Sequence, residues 1–325
     1  MRILLVGAGA VGARAARQLV EASDVDEVFV CDPDAARRAA VVQATGDKAT
    51  DVGNDGEVEA DAVLLAGPAG SHVAEAARQV AAGRSVVSTS DAMSDVQALL
   101  ELDDVAREHS VVLVAGAAFS PGYSCVLARH AAASFDEVEE VHIARSGTGG
   151  PACARQHHAS LTGHGLDWRD GDWQRRPAGS GRELCWFPDP IGAEDCYRAE
   201  LPDALLLHPV FSGAGRVTAR LAATRRDRLS AHLPMLRKPH PEGLVGAVRV
   251  EVRGRRNGQT DVLVLGALDR PAVAAGAVAA LATRWAVDGR LPPGAHGLGA
   301  LAEPVPFLAA LATVGIKAAV FEGGS

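Results

Sequence analysis

The stretch Arg2-Ile3-Leu4-Leu5-Val6-Gly7-Ala8-Gly9-Ala10-Val11-Gly12 opens the chain and decides how its first third folds. Arg2 to Val6 is an apolar run with the length of one buried parallel strand. Gly7, Gly9 and Gly12 stand at the spacing G-x-G-x-x-G, and helix formers follow, with Ala15, Ala16 and Leu19 on one helical face. A second apolar run, Val28-Phe29-Val30-Cys31, leads into Asp32 and Pro33, which places the carboxylate 20 positions beyond Gly12. Each part has a physical task. Gly7 permits the tight turn out of the strand, Gly9 lets the backbone approach a pyrophosphate, and Gly12 lets helix and strand pack closely. The helix N-terminus offers free N–H groups and a partial positive charge to phosphates. Asp32 accepts hydrogen bonds from ribose hydroxyls and repels a 2′-phosphate, so the pattern predicts a dinucleotide site that favours NAD over NADP. Arg37 and Arg38 follow closely and keep NADP possible, though helix-surface charges need no ligand.

Working outward, Ala62-Val63-Leu64-Leu65-Ala66 reads as a buried strand that runs into Gly67-Pro68. Residues 72–82 read as a helix stopped by Gly83, Ser85-Val86-Val87-Ser88 as the next strand, and residues 94–109 as one further helix. Val111-Val112-Leu113-Val114 is another strand; it leads into Gly116-Ala117-Ala118-Phe119-Ser120-Pro121-Gly122, after which residues 125–133 look helical. Strands alternating with helices predict an α/β fold, a doubly wound parallel sheet of the Rossmann type, over residues 1–125. Ligands of such sheets lie beyond the carboxyl ends of the strands. Ala66, Gly67, Pro68, Ser88, Thr89, Ser90, Gly116, Pro121 and Gly122 are therefore expected to border the cofactor with Gly7 to Gly12.

After residue 136 the texture changes. Residues 138–145, 216–222 and 248–253 alternate apolar with polar side chains, and 260–268 joins them. Period-two patterning means strands with one packed and one wet face, so residues 126–268 predict an α+β domain with a mostly antiparallel open sheet. An open sheet has a face or edge to cover, which points to a homodimer built through this domain. Between the first two alternating segments, residues 147–207 are rich in Gly, His, Trp and Arg and show little periodicity, so a long functional loop region is expected. Residues 271–287 read as an Ala-rich helix, and a short helix follows near 306–313. The block 269–325 is expected to return to the first domain.

Composition limits the functional classes. A chain of 325 residues with 48% hydrophobic and 22% charged residues fits a globular enzyme with ample core. The net charge of −8 argues against nucleic acid as a partner. No apolar run reaches the length of a membrane span, a basic n-region is missing, and the first strand begins at residue 2. Cys31, Cys125, Cys153, Cys185 and Cys196 form no C-x-x-C pair; their odd count fits reduced thiols in a cytoplasm.

A family resemblance rests on the dinucleotide turn, the Gly67-Pro68 loop and Gly116…Pro121-Gly122-Tyr123 after a strand. It extends to Gly276-Ala277, Asp288-Gly289, Pro293-Gly294, Pro306-Phe307-Leu308 and Gly315-Ile316 near the end. With these features the chain resembles the saccharopine dehydrogenase-like reductases, and in this respect also diaminopimelate, carboxynorspermidine and lysine-type dehydrogenases. The resemblance covers residues 1–125 and 269–316 and does not reach 145–240. It implies a Rossmann domain before a substrate and dimerisation domain, and hydride passing between nicotinamide and the carbon of an imine or amine. It also implies that Pro121 and Gly122 lie near the nicotinamide end.

A reductase acting on an amino-acid-like, carboxylate-bearing small molecule needs a cation for the carboxylate and a group that moves a proton. The cluster from Gly149 to His158 offers both, beside a flexible Gly-Gly. Arg155 or Arg145 suits the first task through bidentate pairing; His157 or His158 suits the second, because histidine titrates near neutral pH. Gly147, Gly149 and Gly150 supply the freedom for a lid. Adjacent histidines do not match a tetrahedral zinc site, so no metal is expected. In residues 181–190, Trp186 and Phe187 read as buried, either as a pocket wall with Glu183 or Asp189 orienting an amine, or as a core strand. The basic region of Arg220, Arg225, Arg226, Arg228, Arg237, Lys238 and His240 either collects acidic substrates or is solvated charge. Two other functions keep the same first domain: a dinucleotide-binding sensor or scaffold without turnover, and a Rossmann reductase acting on a C=O or CH–OH carbon. The second usually carries a lysine where this chain has Ser88-Thr89-Ser90-Asp91.

Overall fold

The computed structural model describes residues 1–235 and 238–321. Arg237, counted above in the basic region, lies outside the described residues. Strand β1 (Arg2–Val6) buries Ile3, Leu4 and Leu5 completely. Helix α1 (Ala10–Glu21) starts directly after Gly9 and buries Gly12, Ala15, Ala16 and Leu19, the face that the apolar spacing predicts. Strand β2 (Glu27–Cys31) leads to α2 (Ala35–Thr45), whose N-cap Asp34 accepts from the Ala36 and Arg37 amides. The chain continues through β3 (Ala49–Asp51), β4 (Ala62–Leu65), α3 (Val73–Ala81), β5 (Ser85–Ser88), α4 (Met93–Leu100), α5 (Asp103–Glu108) and β6 (Val112–Val114). The single helix expected over 94–109 is two. Asp103 and Asp104 stand in the first turn of α5, where negative charge favours a new N-terminus, and Asp103 Oδ1 accepts from the Ala295 amide at 2.7 Å.

Next come α6 (Tyr123–Ala132), β7 (Glu137–Ser146), α7 (Pro151–Ser160), β8 (His164–Arg169), β9 (Asp172–Pro177), β10 (Glu183–Trp186), β11 (Ala193–Tyr197) and α8 (Asp203–Leu207). They are followed by β12 (Arg216–Ala222), α9 (Arg225–Ser230), β13 (Gly246–Arg256), β14 (Gln259–Asp269), α10 (Pro271–Val287), β15 (Gly294–His296), α11 (Pro304–Thr313) and β16 (Ala318–Phe321). The loop region expected over 147–207 therefore contains two helices and four strands. Their period-two pattern is hidden because they are short and carry polar side chains on both faces. The turn of the first hairpin is nevertheless plain in the sequence: Asp170-Gly171 joins β8 to β9 with φ of 50° and 88°. Asp-Gly with positive φ at both central positions is the preferred two-residue hairpin turn. Asn257-Gly258, with φ of 51° and 77°, joins β13 to β14 in the same way.

The chain divides into two compact units, Met1–Ala118 with Ala272–Leu298, and Phe119–Pro271 with the residues from Gly299 on. The boundaries differ from those expected at 125/126 and 268/269. Residues 119–125 belong with the second unit, since Ser120 and Ser124 bond to Asp203 there. Only α10 and β15 return to the first unit, because β16 pairs antiparallel with β14.

The first unit is a parallel sheet in the order β15-β6-β5-β4-β1-β2-β3. The order reverses between β1 and β4, so the turns after these two strands flank the topological switch point, the place where such sheets bind ligands. In the second unit the path is β10-β11-β12-β7-β13-β14-β16, with β8 on β12 and β9 on β8. All pairs described there are antiparallel except β12 with β7. One face, with Val141, Ile143, Val248 and Val250, is apolar and buried, and α6 packs on β7, β13 and β14. The other face carries Glu140, His142, Thr218, Arg249 and Glu251. Among the described residues no helix is long and apolar enough to cross a membrane.

Candidate active site

In the first unit, the three glycines of the opening turn have different geometric reasons. Gly7 has φ of +107°, and a Cβ on it would lie 2.6 Å from the Ala66 carbonyl carbon and the Gly67 nitrogen. A Cβ on Gly12 would overlap the Gly7 carbonyl oxygen, while one on Gly9 would meet no atom within 4 Å. Two glycines thus serve close packing of turn, helix and β4, and Gly9 serves approach from outside the protein. No side chain caps α1, so its first amides are not taken by an N-cap side chain. Asp32, 5% exposed, accepts from the Ala8 amide through Oδ2 at 2.8 Å and from the Asp34 amide through Oδ1 at 2.8 Å. These two bonds lock the carboxylate against the glycine turn and leave further lone pairs for ribose hydroxyls. These features fit NAD. Arg38 is committed elsewhere: Nε pairs with Asp51 at 2.6 Å and Nη1 donates to the Asp32 carbonyl. Arg37 pairs with Asp34 at 3.3 Å. Neither is set up as a 2′-phosphate clamp.

The loops after β4 and β5 are joined by a residue that the sequence reading places only at a helix start. His72 is 1% exposed; Nε2 donates to the Gly67 carbonyl at 3.0 Å and Nδ1 accepts from Ser88 Oγ at 2.9 Å. Burial pushes this imidazole below its ordinary pKa, so it is neutral at pH 7 and both bonds agree with one tautomer. The Ser90 amide donates to Ser88 Oγ at 3.2 Å, and Ser90 Oγ donates to buried Asp95 at 2.7 Å. Asp95 also accepts from the Gly70 amide at 2.9 Å. A short polar chain therefore ties Gly67, Ser88 and Ser90 at the carboxyl ends of adjacent strands, with Pro68 and Thr89 beside them in sequence and Thr89 Oγ1 donating to the Leu65 carbonyl at 3.1 Å. Gly116 follows β6 on the same edge, with φ of 73°. His72 and Asp95 give no motif to read; only burial reveals them.

Pro121 and Gly122 belong to the second unit, at the start of α6. There Asp203, fully buried at the start of α8, accepts from Ser120 Oγ at 2.7 Å and from Ser124 Oγ at 3.2 Å through Oδ1. Oδ2 has no hydrogen-bond partner among the described residues. Burial pushes the Asp203 carboxyl up, opposed by Arg145 and the two serines. Arg145, buried on β7, donates from Nη1 to the Ser120 carbonyl at 2.5 Å. His157 on α7 is half-buried and pushed down to about 4 by burial, with the Arg145 charge adding to the shift. It is a neutral imidazole at pH 7, so the expected proton donor at neutral pH is corrected to a group that holds no spare proton. His158 Nε2 donates to the Leu233 carbonyl at 2.9 Å, and Arg155 is exposed on the same helix. Gly147 is not a free hinge: a Cβ on it would lie 2.5 Å from Gly246 Cα, so its role is backbone contact.

Two other expectations change. Phe187 is 2% exposed, but Trp186 is 62% exposed, because successive strand residues point to opposite faces and β10 is an edge strand. Trp186 is therefore not a buried wall. Arg220 is not solvated: it pairs in bidentate fashion with Asp167 at 2.8 and 3.1 Å and with Glu183 at 3.0 Å. It is a buried tie between β12, β8 and β10, so Glu183 is occupied as well.

Comparison with known proteins agrees with this geometry. Residues 1–117 match the oxidoreductase family with the NAD-binding Rossmann fold. No curated protein matches the sequence significantly. Over the whole length the structure is similar to saccharopine dehydrogenase (L-Glu forming) from Saccharomyces cerevisiae, with TM-score 0.70, 14% identity, and 98% of this chain and 99% of that one covered. It is also similar to an engineered D-amino acid dehydrogenase bound to NADP+, with TM-score 0.52, 16% identity and coverage of 94% and 95%. DAP dehydrogenase of C. glutamicum in complex with DAP gives TM-score 0.51, 14% identity and the same coverage of 94% and 95%. Residues 1–117 thus match an NAD-binding Rossmann fold of the oxidoreductase family, in a chain whose fold is shared with saccharopine, D-amino acid and DAP dehydrogenases.

Proposed function

We propose that this protein is an NAD-dependent dehydrogenase that moves hydride to or from the imine or amine carbon of a carboxylate-bearing, amino-acid-like small molecule. The observation that carries the cofactor half is the buried Asp32 carboxylate, fixed by the Ala8 and Asp34 amides beside the open Gly9 turn. Bound NAD supplies the hydride acceptor and, once reduced, the donor. The protein holds the phosphates on the α1 amides, the adenosine ribose on Asp32, and the other edge of the site through the loops tied by His72. The substrate class is supported by the likeness to saccharopine, D-amino acid and DAP dehydrogenases and by the Arg145 and Arg155 guanidinium groups, which suit a carboxylate. In this reading His157, neutral at pH 7, accepts the proton released as an amine is oxidised, and His158 anchors the neighbouring segment at Leu233. The homodimer and the cytoplasmic setting expected from the sequence belong to the same proposal.

Titration with NADH and NADPH by nicotinamide fluorescence tests the cofactor. Tighter NADH binding is expected; equal or tighter NADPH binding overturns the preference. For the chemistry, NAD reduction is followed across secondary-amine and primary amino acids and across hydroxy acids. His157→Ala is expected to lower kcat on the amine substrates by at least the roughly 100-fold typical of a lost proton-transfer group, with NADH affinity unchanged. An unchanged kcat removes His157 from the proposal, and turnover of hydroxy acids alone removes the substrate class.

A further inference from the structure

Cys185 and Cys196 are buried on adjacent strands, β10 and β11, and belong to one apolar cluster with Ala144, Phe187, Ala222 and Ala247. The register pairs Glu183 with Cys196 and Cys185 with Glu194. The two cysteines therefore lie on the same face, one diagonal step apart. Both are free thiols. We infer that Cys185 and Cys196 form a reversible intramolecular disulfide under peroxide, which makes this hairpin an oxidative modification site independent of the proposed dehydrogenase chemistry.

Three features support it. The first is proximity: diagonal neighbours across an antiparallel pair have Cα atoms about 7–8 Å apart, just beyond the reach of about 6.8 Å that a disulfide accepts. A small slide of one strand closes the gap. The second is freedom to slide, since β10 is four residues long, stands at the sheet edge and pairs only with β11 among the described residues. The third is asymmetry in access. Cys185 is 8% exposed on the edge strand β10, while Cys196 is fully buried on β11 inside it. Peroxide therefore meets Cys185 first, which makes Cys185 the nucleophile and Cys196 the resolving thiol.

The reaction balances with hydrogen peroxide as the oxidant. Cys185 thiolate attacks one peroxide oxygen, the O–O bond breaks, and hydroxide leaves and takes up the proton that Cys185 had lost. This gives Cys185 sulfenic acid and one water. Cys196 Sγ then attacks Cys185 Sγ; the S–O bond breaks and the departing hydroxyl takes the Cys196 proton as a second water. Two electrons pass from the dithiol to the peroxide.

The sequence provides a clean readout. No Lys or Arg lies between Arg182 and Arg198, so trypsin releases both cysteines in one peptide, residues 183–198, with no other cysteine in it. The full-length protein is exposed to peroxide, alkylated, digested and weighed. The expected product is peptide 183–198 carrying no alkyl group and about 2 Da lighter than the dithiol form, restored by dithiothreitol. Chymotryptic cleavage after Trp186 then leaves two fragments joined until reduction. Cys196→Ser is expected to abolish the bond and leave Cys185 sulfenic acid, trapped by dimedone. The milder Cys196→Ala serves the same purpose if serine impairs folding in this apolar cluster. The inference is overturned if both thiols remain alkylated while Cys153, the half-buried thiol on α7, is oxidised. It is equally overturned if Cys185 reaches sulfinic acid with Cys196 still reduced in the unmutated protein.

Discussion

At the scale of single residues, Asp32 combines two duties that a motif does not separate. It is legible as a ribose ligand from its distance to Gly12, but its bonds to Ala8 and Asp34 show that it also holds the turn together. Asp32→Ala should therefore act twice. The NADH-over-NADPH preference should shrink because the repulsion of a 2′-phosphate is gone. The melting temperature should also fall, since the buried Ala8 amide left unsatisfied costs about 1–3 kcal/mol. A variant that loses cofactor preference with unchanged melting would show that the two amide bonds contribute nothing. His72 makes a different prediction because it is buried and neutral. Its pKa is lowered on folding, so the unfolded chain binds a proton more readily, and the stability tied to neutral His72 is complete above about 6.5. That stability is lost as pH falls through the lowered folded value, with a limiting slope of about 1.4 kcal/mol per pH unit. His157, His142 and His208 are lowered as well and share this sign. Asp203, raised by burial, has the opposite one. Denaturant melts of His72→Asn between pH 7 and 5 should be less steep in pH than those of the unmutated protein. An equal slope would mean that His72 does not titrate with unfolding.

At the scale of elements, legibility follows how much of a segment's pattern its own neighbours produce. The opening β1-turn-α1 unit is readable apart from the first turn of α1, since the helix formers begin at Ala13 and the helix at Ala10; buried parallel strands are continuous apolar runs and α1 packs with period 3.6. Helix α10 is readable to the residue because an Ala-rich apolar run follows Pro271 and is buried on nearly every side. The hairpins of the second unit are not. Their side chains alternate against several neighbours at once: Arg220 and Asp167 look like surface charges and are buried together. The polar chain from His72 to Asp95 is hidden because its members are near each other only once β4 and β5 pair. The glycine turn allows a direct test of element against ligand. Gly9 has φ of −76° and ψ of −167°, ordinary extended backbone, and open space where a side-chain carbon would stand; Gly12 has neither room nor slack. Gly9→Val is expected to leave the melting temperature nearly unchanged and to weaken NADH binding at least 10-fold, about 1.4 kcal/mol. Gly12→Val should lower the melting temperature, because its Cβ collides with the Gly7 carbonyl. If Gly9→Val binds NADH normally, the pyrophosphate does not approach this turn.

At the scale of the whole molecule, the second unit presents a sheet whose two faces are chemically unlike. The apolar face is covered by α6. The other is polar and yet substantially buried: His142 bonds Thr218 at 2.8 Å and Glu140 at 2.8 Å, and Glu251, 6% exposed, accepts from Arg249 and Arg253 at 2.5 Å each. Burial pushes the Glu251 carboxyl up, but the two arginines outweigh it and hold it below its ordinary range. This face is a pre-assembled, charge-balanced surface, with its donors and acceptors already matched inside one chain. Covering such a surface leaves no single charge unpaired, so it avoids the several kcal/mol, about 3–5, that an uncompensated buried charge costs. Beside it, Val262 on β14 is 46% exposed and shares the side of the sheet that carries Arg253, its partner in the β13–β14 register. Two copies related by a two-fold axis would bring the same patch against itself, the commonest closed arrangement. We therefore expect a homodimer through this face, with a dimer mass by light scattering at micromolar concentration. Val262→Glu should shift the equilibrium towards monomer by placing like charges across the axis, without altering NADH affinity in the other unit. A monomer mass for the unmutated protein would exclude the dimer while leaving the cofactor site untouched. A dimer that Val262→Glu does not weaken would move the interface elsewhere on the chain.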